Sequence, residues 1–536
     1  MLIFAIFGVL LLGVLVILIA NSRKHSSARS WLIAVITASL ALLISFALRL
    51  YLPSEITLTT WHKGTVFEVP LGLSIGYRTW PYIVAVLSMC VAVLLTDTTR
   101  TDETMRSDSW VRVVSVTGLN LIAILAANPL TMAIAWMLID LFEVLSLLRL
   151  SRASQLGSRI TTAFGIRILS TFMLIVAASS NWPGDQSHVS YIQAANTSIY
   201  FLIAAGLRLG VLPINLPFLD SPELKRGSGI LFRLMPAASA LVLIAHLPDQ
   251  FLIFETNLVA VVQVLTLIAA FYSAIMWVTR SESYEAQPYW VVALSSFAIQ
   301  SALNGHPEAS RAWGLGLLLS GSLLFLYNPP IRRIRFLPLL GLLGFIGLPY
   351  TLGGSGWEGL LPGQFNFTWV VMILTHALLV AGYIRFIMKS DSSVTGVEKF
   401  ARITFPLGLV ILIQTILVLS WVGWPEVLTI GNLWGSLGSL TIVVSAVVIS
   451  WRMGWRLPDT NLPEKLPFYR LGLVVMNFLR KFMSFAWLWS FLERVYGWVG
   501  DLGGFLHQIL EGDGGVLWSL VFLVIVTIIF ISVGTP

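Results

Sequence analysis

The chain has 536 residues, 57% of them hydrophobic and only 11% charged, with a mean hydropathy of +0.85. No soluble fold buries so large an apolar share. Apolar runs of about 17 residues or more recur along the chain, so it reads as a polytopic membrane protein. The formal charge of +7 does not point to nucleic acid, because the lysines and arginines sit in short loops between apolar runs, where they set topology.

The lone cysteine, Cys90, excludes a disulfide within the chain and any cysteine cluster for iron–sulfur or zinc. The seven histidines form no H-x-x-x-H pair. There is no Walker A loop and no H-E-x-x-H. Residues 1–20 are apolar, with no basic segment before them and no A-x-A site, and are expected to remain as a first span.

In chain order the expected spans are about 1–20, 31–51, 79–96, 111–127, 130–149 and 160–179, with a polar loop at 52–78 and a tight turn at Asn128–Pro129. A broken span seven and a span eight then run to about 247. Further spans follow at about 251–278, 288–303, 312–328, 336–361, 367–387, 402–424, 431–451 and 515–533. Loops after odd-numbered spans are rich in Lys and Arg, among them Arg23, Lys24, Arg149, Arg152, Arg332 and Arg333, and loops after even-numbered spans are poor. By the positive-inside rule the basic side is cytoplasmic and both termini lie on the outer face. The expected location is a bacterial inner membrane. Residues 463–511 mix aromatic and charged side chains, including Arg480, Lys481, Glu493 and Arg494, and suit a helix lying along the interface better than a further span.

Ionisable residues inside apolar spans are functional candidates by default. Span five carries Asp140 and Glu143, three apart and so on one helix face. Buried carboxyls suit a proton relay; the plainer reading is an acid paired with an arginine such as Arg167 of span six. Span seven holds Arg208, followed by Pro213 and Pro217, and span eight holds Arg233. An arginine does not release its proton, but it can hold a carboxylate ionised or anchor an anion. A charged apolar helix broken by proline belongs where protein or a water-filled cavity surrounds it. Span twelve, rich in glycine, is a second broken helix and carries Glu358. That acid belongs either to the break or to an outer loop.

In this order the residues resemble the antiporter-like subunits of respiratory complex I and the Mrp-type cation/proton antiporters. The resemblance covers about 110–535. Glu143 in IDLFEVLSLL matches the family's span-five glutamate, and Arg167 stands where the family has an arginine. The segment GLRLGVLPINLPFLDSP, 206–222, looks like the span-seven signature, with Arg208 at the place of a relay lysine. GLPYTLGGSGWE, 347–358, is similar to the span-twelve signature, with Glu358 near its ionisable position. The aromatic stretch and last span resemble the lateral helix of the largest such subunit. The departures are Arg208 for lysine, Arg233 for a span-eight histidine, and spans ten and eleven without the family's mid-membrane charges; His306 and Arg311 there lie in a turn.

The resemblance implies an all-α polytopic fold of about sixteen spans, with two inverted five-helix repeats, spans 4–8 and 9–13, and a cytoplasmic interfacial helix. The expected organisation is an N-terminal part, 1–110, an antiporter-like core, 111–430, and a C-terminal extension, 431–536. It also implies a proton- or cation-translocating subunit among other membrane subunits in the lipid bilayer, without nucleic acid. The chain would hold no cofactor or metal of its own, redox groups residing in partners such as those of an NADH–quinone oxidoreductase. Glu143 would carry the proton, Arg208 would be its charge partner, and Glu358 the exit-side acid. Two alternatives stay open: a membrane subunit of an inorganic-carbon uptake pump, and a structural scaffold without transport.

Overall fold

The helices are apolar on nearly every side, and such helices are stable only when surrounded by other helices or by lipid. The computed structural model describes residues 2–22, 27–60, 70–97, 108–150, 154–179, 191, 195–212, 214, 218, 226–247, 256–280, 282–327, 334–361, 363, 365–388, 400–424 and 432–452. It also describes Arg494, Gly497, Trp498, Asp501, Val521, Leu523 and Val524. Two units separate, Met1–Asn461 and Leu462–Pro536. The expected interfacial helix at 463–511 and last span at 515–533 fall almost wholly outside the described residues.

The first unit opens with α1 (Leu2–Ser22) and α2 (Ser27–Ala47). The expected polar loop instead contains an antiparallel hairpin, β1 (Ser54–Thr60) and β2 (Pro70–Ile75), with Ser54 opposite Ile75. Ile56 and Leu58 alternate with Thr57 and Thr59, and the β-branched residues among them favour extended backbone. The strand β2 is anchored on the turn near Asn128, where Ser74 N donates to Leu125 O at 2.7 Å and Ala127 N to Gly72 O at 2.9 Å.

Next come α3 (Trp80–Thr96), α4 (Asp108–Ile124), α5 (Pro129–Leu150), α6 (Ser154–Ser179) and α7 (Ala195–Arg208). Asn128 starts α5 as expected: its side-chain oxygen accepts from Thr131 N at 2.8 Å and from Thr131 Oγ1 at 3.0 Å, with Pro129 next in line. After Arg208 the helix stops and Gly210 takes φ +69°, a left-handed conformation open to glycine. Pro213 and Pro217 lie outside the described residues.

The eighth span is not uniform. A short α8 (Arg226–Gly229) gives way to a π-turn, Ile230–Leu234, and then to α9 (Met235–Ala245). Pro236 has no N–H for the carbonyl one turn back, and the backbone widens instead, with Met235 N donating to Ile230 O. After α10 (Thr256–Thr279), α11 (Ser283–Leu303) and α12 (Ser310–Leu326), span twelve is broken as expected. It has α13 (Phe336–Leu340), a 3₁₀ turn (Gly341–Gly344), no helix from Phe345 to Ser355, and α14 (Gly356–Leu360). The unit continues with α15 (Phe367–Met388), α16 (Ala401–Val422) and α17 (Leu433–Arg452).

Every residue of α3, α9 and α12 is buried, as is α11 from Ala286 onward, so these helices form the core of the unit. The outer helices keep exposed leucines and isoleucines, among them Leu11, Leu12, Ile36, Leu141, Leu145, Phe172 and Val264. Eight helices are long and apolar enough to cross a bilayer, and five shorter apolar ones accompany them among the described residues. Exposed apolar side chains on so many spans fit lipid rather than water. The chain is an integral membrane protein.

Candidate functional site

Four of the charged residues singled out from the sequence come together. Asp140 and Glu143 sit one turn apart on α5, and α6 and α7 bring Arg167 and Arg208 against them. Each of the four side chains is under 10% exposed. Arg208 grips Asp140 with both guanidinium nitrogens, Nη2 to Oδ1 at 2.8 Å and Nη1 to Oδ2 at 3.0 Å. Its guanidinium also lies 4.4 Å from the ring centre of Trp136, one turn before Asp140. Trp136 is fixed in turn by donating to Ser239 Oγ at 2.8 Å. Arg167 donates to Glu143 through Nη1, and the same nitrogen stands 3.9 Å from Asp140 Oδ1. Two acids and two arginines cancel in charge, which is how such groups are tolerated away from water.

This pairing corrects one expectation. Arg208 partners Asp140, not Glu143, whose partner is Arg167. The cause is helical register. Asp140 and Glu143 point to one side of α5 but are separated along it, so α7 meets the first and α6 the second. A cavity of about 10 Å³ borders Glu143 on its other side, lined by Phe142 and by Leu231, Phe232 and Pro236 of the π-turn region.

The other two candidates stand apart. Arg233, on the π-turn, is 1% exposed and donates through Nη1 to Tyr284 O at 2.7 Å and to Gln287 Oε1 at 2.8 Å, both on α11. Glu358 was expected either within the break of span twelve or on an outer loop. It stands exposed on α14, with buried neighbours on both sides.

Two features went unread in the sequence. His376, midway along α15, is 0% exposed and bonded at both ring nitrogens, to Ser439 Oγ and Phe345 O, each at 2.9 Å. Its signal was present: an ionisable residue in the middle of the apolar run VMILTHALLV. The second is a cavity of about 610 Å³ at the end of the core helices, lined by the hairpin and by Arg78, His246, Glu308, Arg311 and Trp424. Arg311, expected in a turn, opens α12; it pairs with Glu308 at 3.1 Å and lies 5.1 Å from the Trp424 ring centre. His246, one residue past α9, donates from Nδ1 to Val242 O at 2.8 Å, and burial beside Tyr191 pushes its pKa down to about 4. Ser74 on this wall lies in a G-x-S-x-G spacing, Gly72–Gly76, but on a hairpin strand opposite Glu55 and not on the strand-to-helix elbow that presents a nucleophile. Among the described residues no group of three or more His, Cys, Asp or Glu could hold a metal ion.

No family model and no curated protein matches the chain by sequence. Solved structures match by fold. A chain of the membrane-bound sulfane sulfur reductase, an archaeal respiratory membrane complex, superposes with a TM-score of 0.69 at 12% identity, covering 97% of this chain and 99% of that one. A chain of the Mrp complex from Dietzia sp. DQ12-45-1b superposes with a TM-score of 0.65 at 13% identity, covering 99% of this chain and 63% of that one. The chain thus spans less than two thirds of the Mrp chain and nearly all of the reductase chain. The resemblance read from the sequence is borne out in the fold.

Proposed function

We propose that this chain is a proton- or cation-translocating membrane subunit of a multi-subunit assembly, and that the buried cluster on α5, α6 and α7 couples its charge movement. The observation that carries the reading is one arginine shared by two acids. Arg167 Nη1 bonds Glu143 and stands only 3.9 Å from Asp140. A small swing of Arg167 toward Asp140 strips Glu143 of its counter-ion, and a carboxylate left alone in apolar surroundings takes up a proton. The return swing expels it. Arg208 keeps its bidentate grip on Asp140 throughout. A small apolar cavity of about 10 Å³ lies between Glu143 and the π-turn residues Leu231 and Phe232.

In this reading the chain has sixteen spans, with spans 4–8 and 9–13 as inverted repeats within 111–430 and the basic loops cytoplasmic. Arg233 stabilises the path beyond the π-turn, and Glu358, exposed at the break, is the acid at the exit. Redox groups belong to partner chains. The test is Glu143→Gln in the assembly purified with its partners and reconstituted in vesicles. Flux of protons or sodium is expected to fall at least about tenfold, equivalent to about 1.4 kcal/mol at the barrier. Unchanged flux in an intact E143Q assembly would refute the role of Glu143.

One observation favours a second reading, a scaffold without transport: all four charges close on one another, as a purely structural cluster would. That reading expects E143Q to weaken the association of subunits and to leave no flux to lose, since the wild type would carry none.

A further inference from the structure

His376 is a buried ionisable group that the cluster above does not use. It sits where three parts of the second half meet: α15, the break in span twelve, and α17. Around its ring stand Phe297 of α11, Trp313 of α12, Phe345 of the break and Trp357 of α14, with centroids 4.9–6.2 Å away. The charged groups on these elements are Glu285 at the start of α11, Arg311 at the start of α12, Glu358 on α14, Arg385 near the end of α15 and Arg452 at the end of α17. None of them is a partner of the ring. Its partners are a carbonyl, a hydroxyl and aromatic rings.

The hydrogen-bond arithmetic is informative. Phe345 O is a carbonyl and can only accept, so Nε2 carries a proton. Ser439 has one hydroxyl proton and two acceptors in reach, His376 Nδ1 at 2.9 Å and Ser436 O at 3.0 Å. With the proton turned to Nδ1, the imidazole is neutral. With it turned to Ser436 O, the hydroxyl oxygen is free to accept from a protonated Nδ1, and the ring is an imidazolium. Both states satisfy Nδ1, Nε2, Phe345 O and the hydroxyl without moving a heavy atom. Phe297, whose ring plane lies at 21° to the imidazole, presents a face that suits a transient cation. Within the break, Trp357 Nε1 and Ser355 Oγ are buried without a hydrogen-bond partner, and such groups in proteins are ordinarily met by water.

We propose that His376 is a proton-binding site at the break of span twelve, with the Ser439 hydroxyl as the rotor that turns as the proton arrives and leaves. The proposal rests on the translocation reading for its purpose, but not for its test. Labelling the histidines with ¹⁵N and subtracting the H376Q spectrum isolates this ring in the lipid-reconstituted assembly. At pH 8 one protonated nitrogen is expected. On acidification toward pH 4 both become protonated while the fold persists. A ring that stays singly protonated until the protein unfolds overturns the proposal. His376→Gln can still donate to Phe345 O but cannot carry a proton, so it tests the purpose separately. Proton flux is expected to fall at least about tenfold in H376Q with assembly intact, and wild-type flux would overturn the relay role. Ser439→Ala removes the rotor and is expected to shift the midpoint of the ring's titration by about half to one pH unit. An unmoved midpoint would overturn the rotor. If the wild-type assembly carries no flux, the translocation reading falls, and the ring's titration still decides this one.

Discussion

The grip of Arg208 on Asp140 makes a quantitative prediction about stability. Asp140→Asn leaves a guanidinium that is 2% exposed with one amide oxygen in place of a carboxylate that took two bonds. Breaking a buried pair by removing one partner costs about 3–5 kcal/mol, because the remaining charge is stranded. Arg208→Met should cost less, since Arg167 Nη1, 3.9 Å away, still compensates Asp140. The double variant D140L/R208M removes both charges and should recover most of the loss, because apolar replacement of a whole buried pair is about neutral. The assay follows from the sequence. Cys90 is the lone cysteine and is 0% exposed on α3, so the rate at which a thiol-reactive dye labels it on heating reports unfolding of the core. The expected order of stability is wild type, then the double variant, then R208M, then D140N. A D140N protein within about 1 kcal/mol of wild type, or a double variant as unstable as the sum of the singles, would show that the pair is not coupled as described.

Other positions give further checks. Gly347 has φ +76°, and an added Cβ would lie 2.0 Å from Trp357 Nε1, so Gly347→Ala should lower the unfolding temperature by the equivalent of about 1–3 kcal/mol or more; Gly8→Ala, with nothing within 4 Å, should be neutral or slightly stabilising. Equal effects at the two sites would contradict the packing of the break. His246 has its pKa lowered to about 4 by burial, so between about pH 6.5 and about pH 4 the unfolded chain binds a proton that the folded one does not. Stability should therefore fall as pH drops through that window and level off below it. His246→Asn, which can keep the donor to Val242 O, should flatten the slope, and an unchanged pH profile would count against this assignment.

Composition and periodicity settled much of this protein without its structure. Apolar runs of bilayer length fixed the class, because backbone groups in lipid must be satisfied within a helix. Asn128–Pro129 announced the start of α5, and the glycines of 341–359 announced the break in span twelve. The buried charges were legible for the same reason: an Asp, Glu or Arg inside hydrocarbon must have a partner, so Asp140, Glu143, Arg167 and Arg208 could be named as candidates, together with Arg233 and Glu358. Which acid met which arginine could not be read. Pairing depends on the rotation and height of α6 and α7 against α5, and those are set by packing between helices that carry no mark of it in their own sequence. The same limit hid the π-turn at Arg233, which arises from Pro236 in a crowded core, and the exposure of Glu358, which lies at the surface while its neighbours Trp357 and Gly359 are buried. It also hid His376. A histidine amid leucines says only that something must bond it. That its two partners come from a broken backbone and from α17, 31 and 63 residues away, is a fact of the tertiary structure alone.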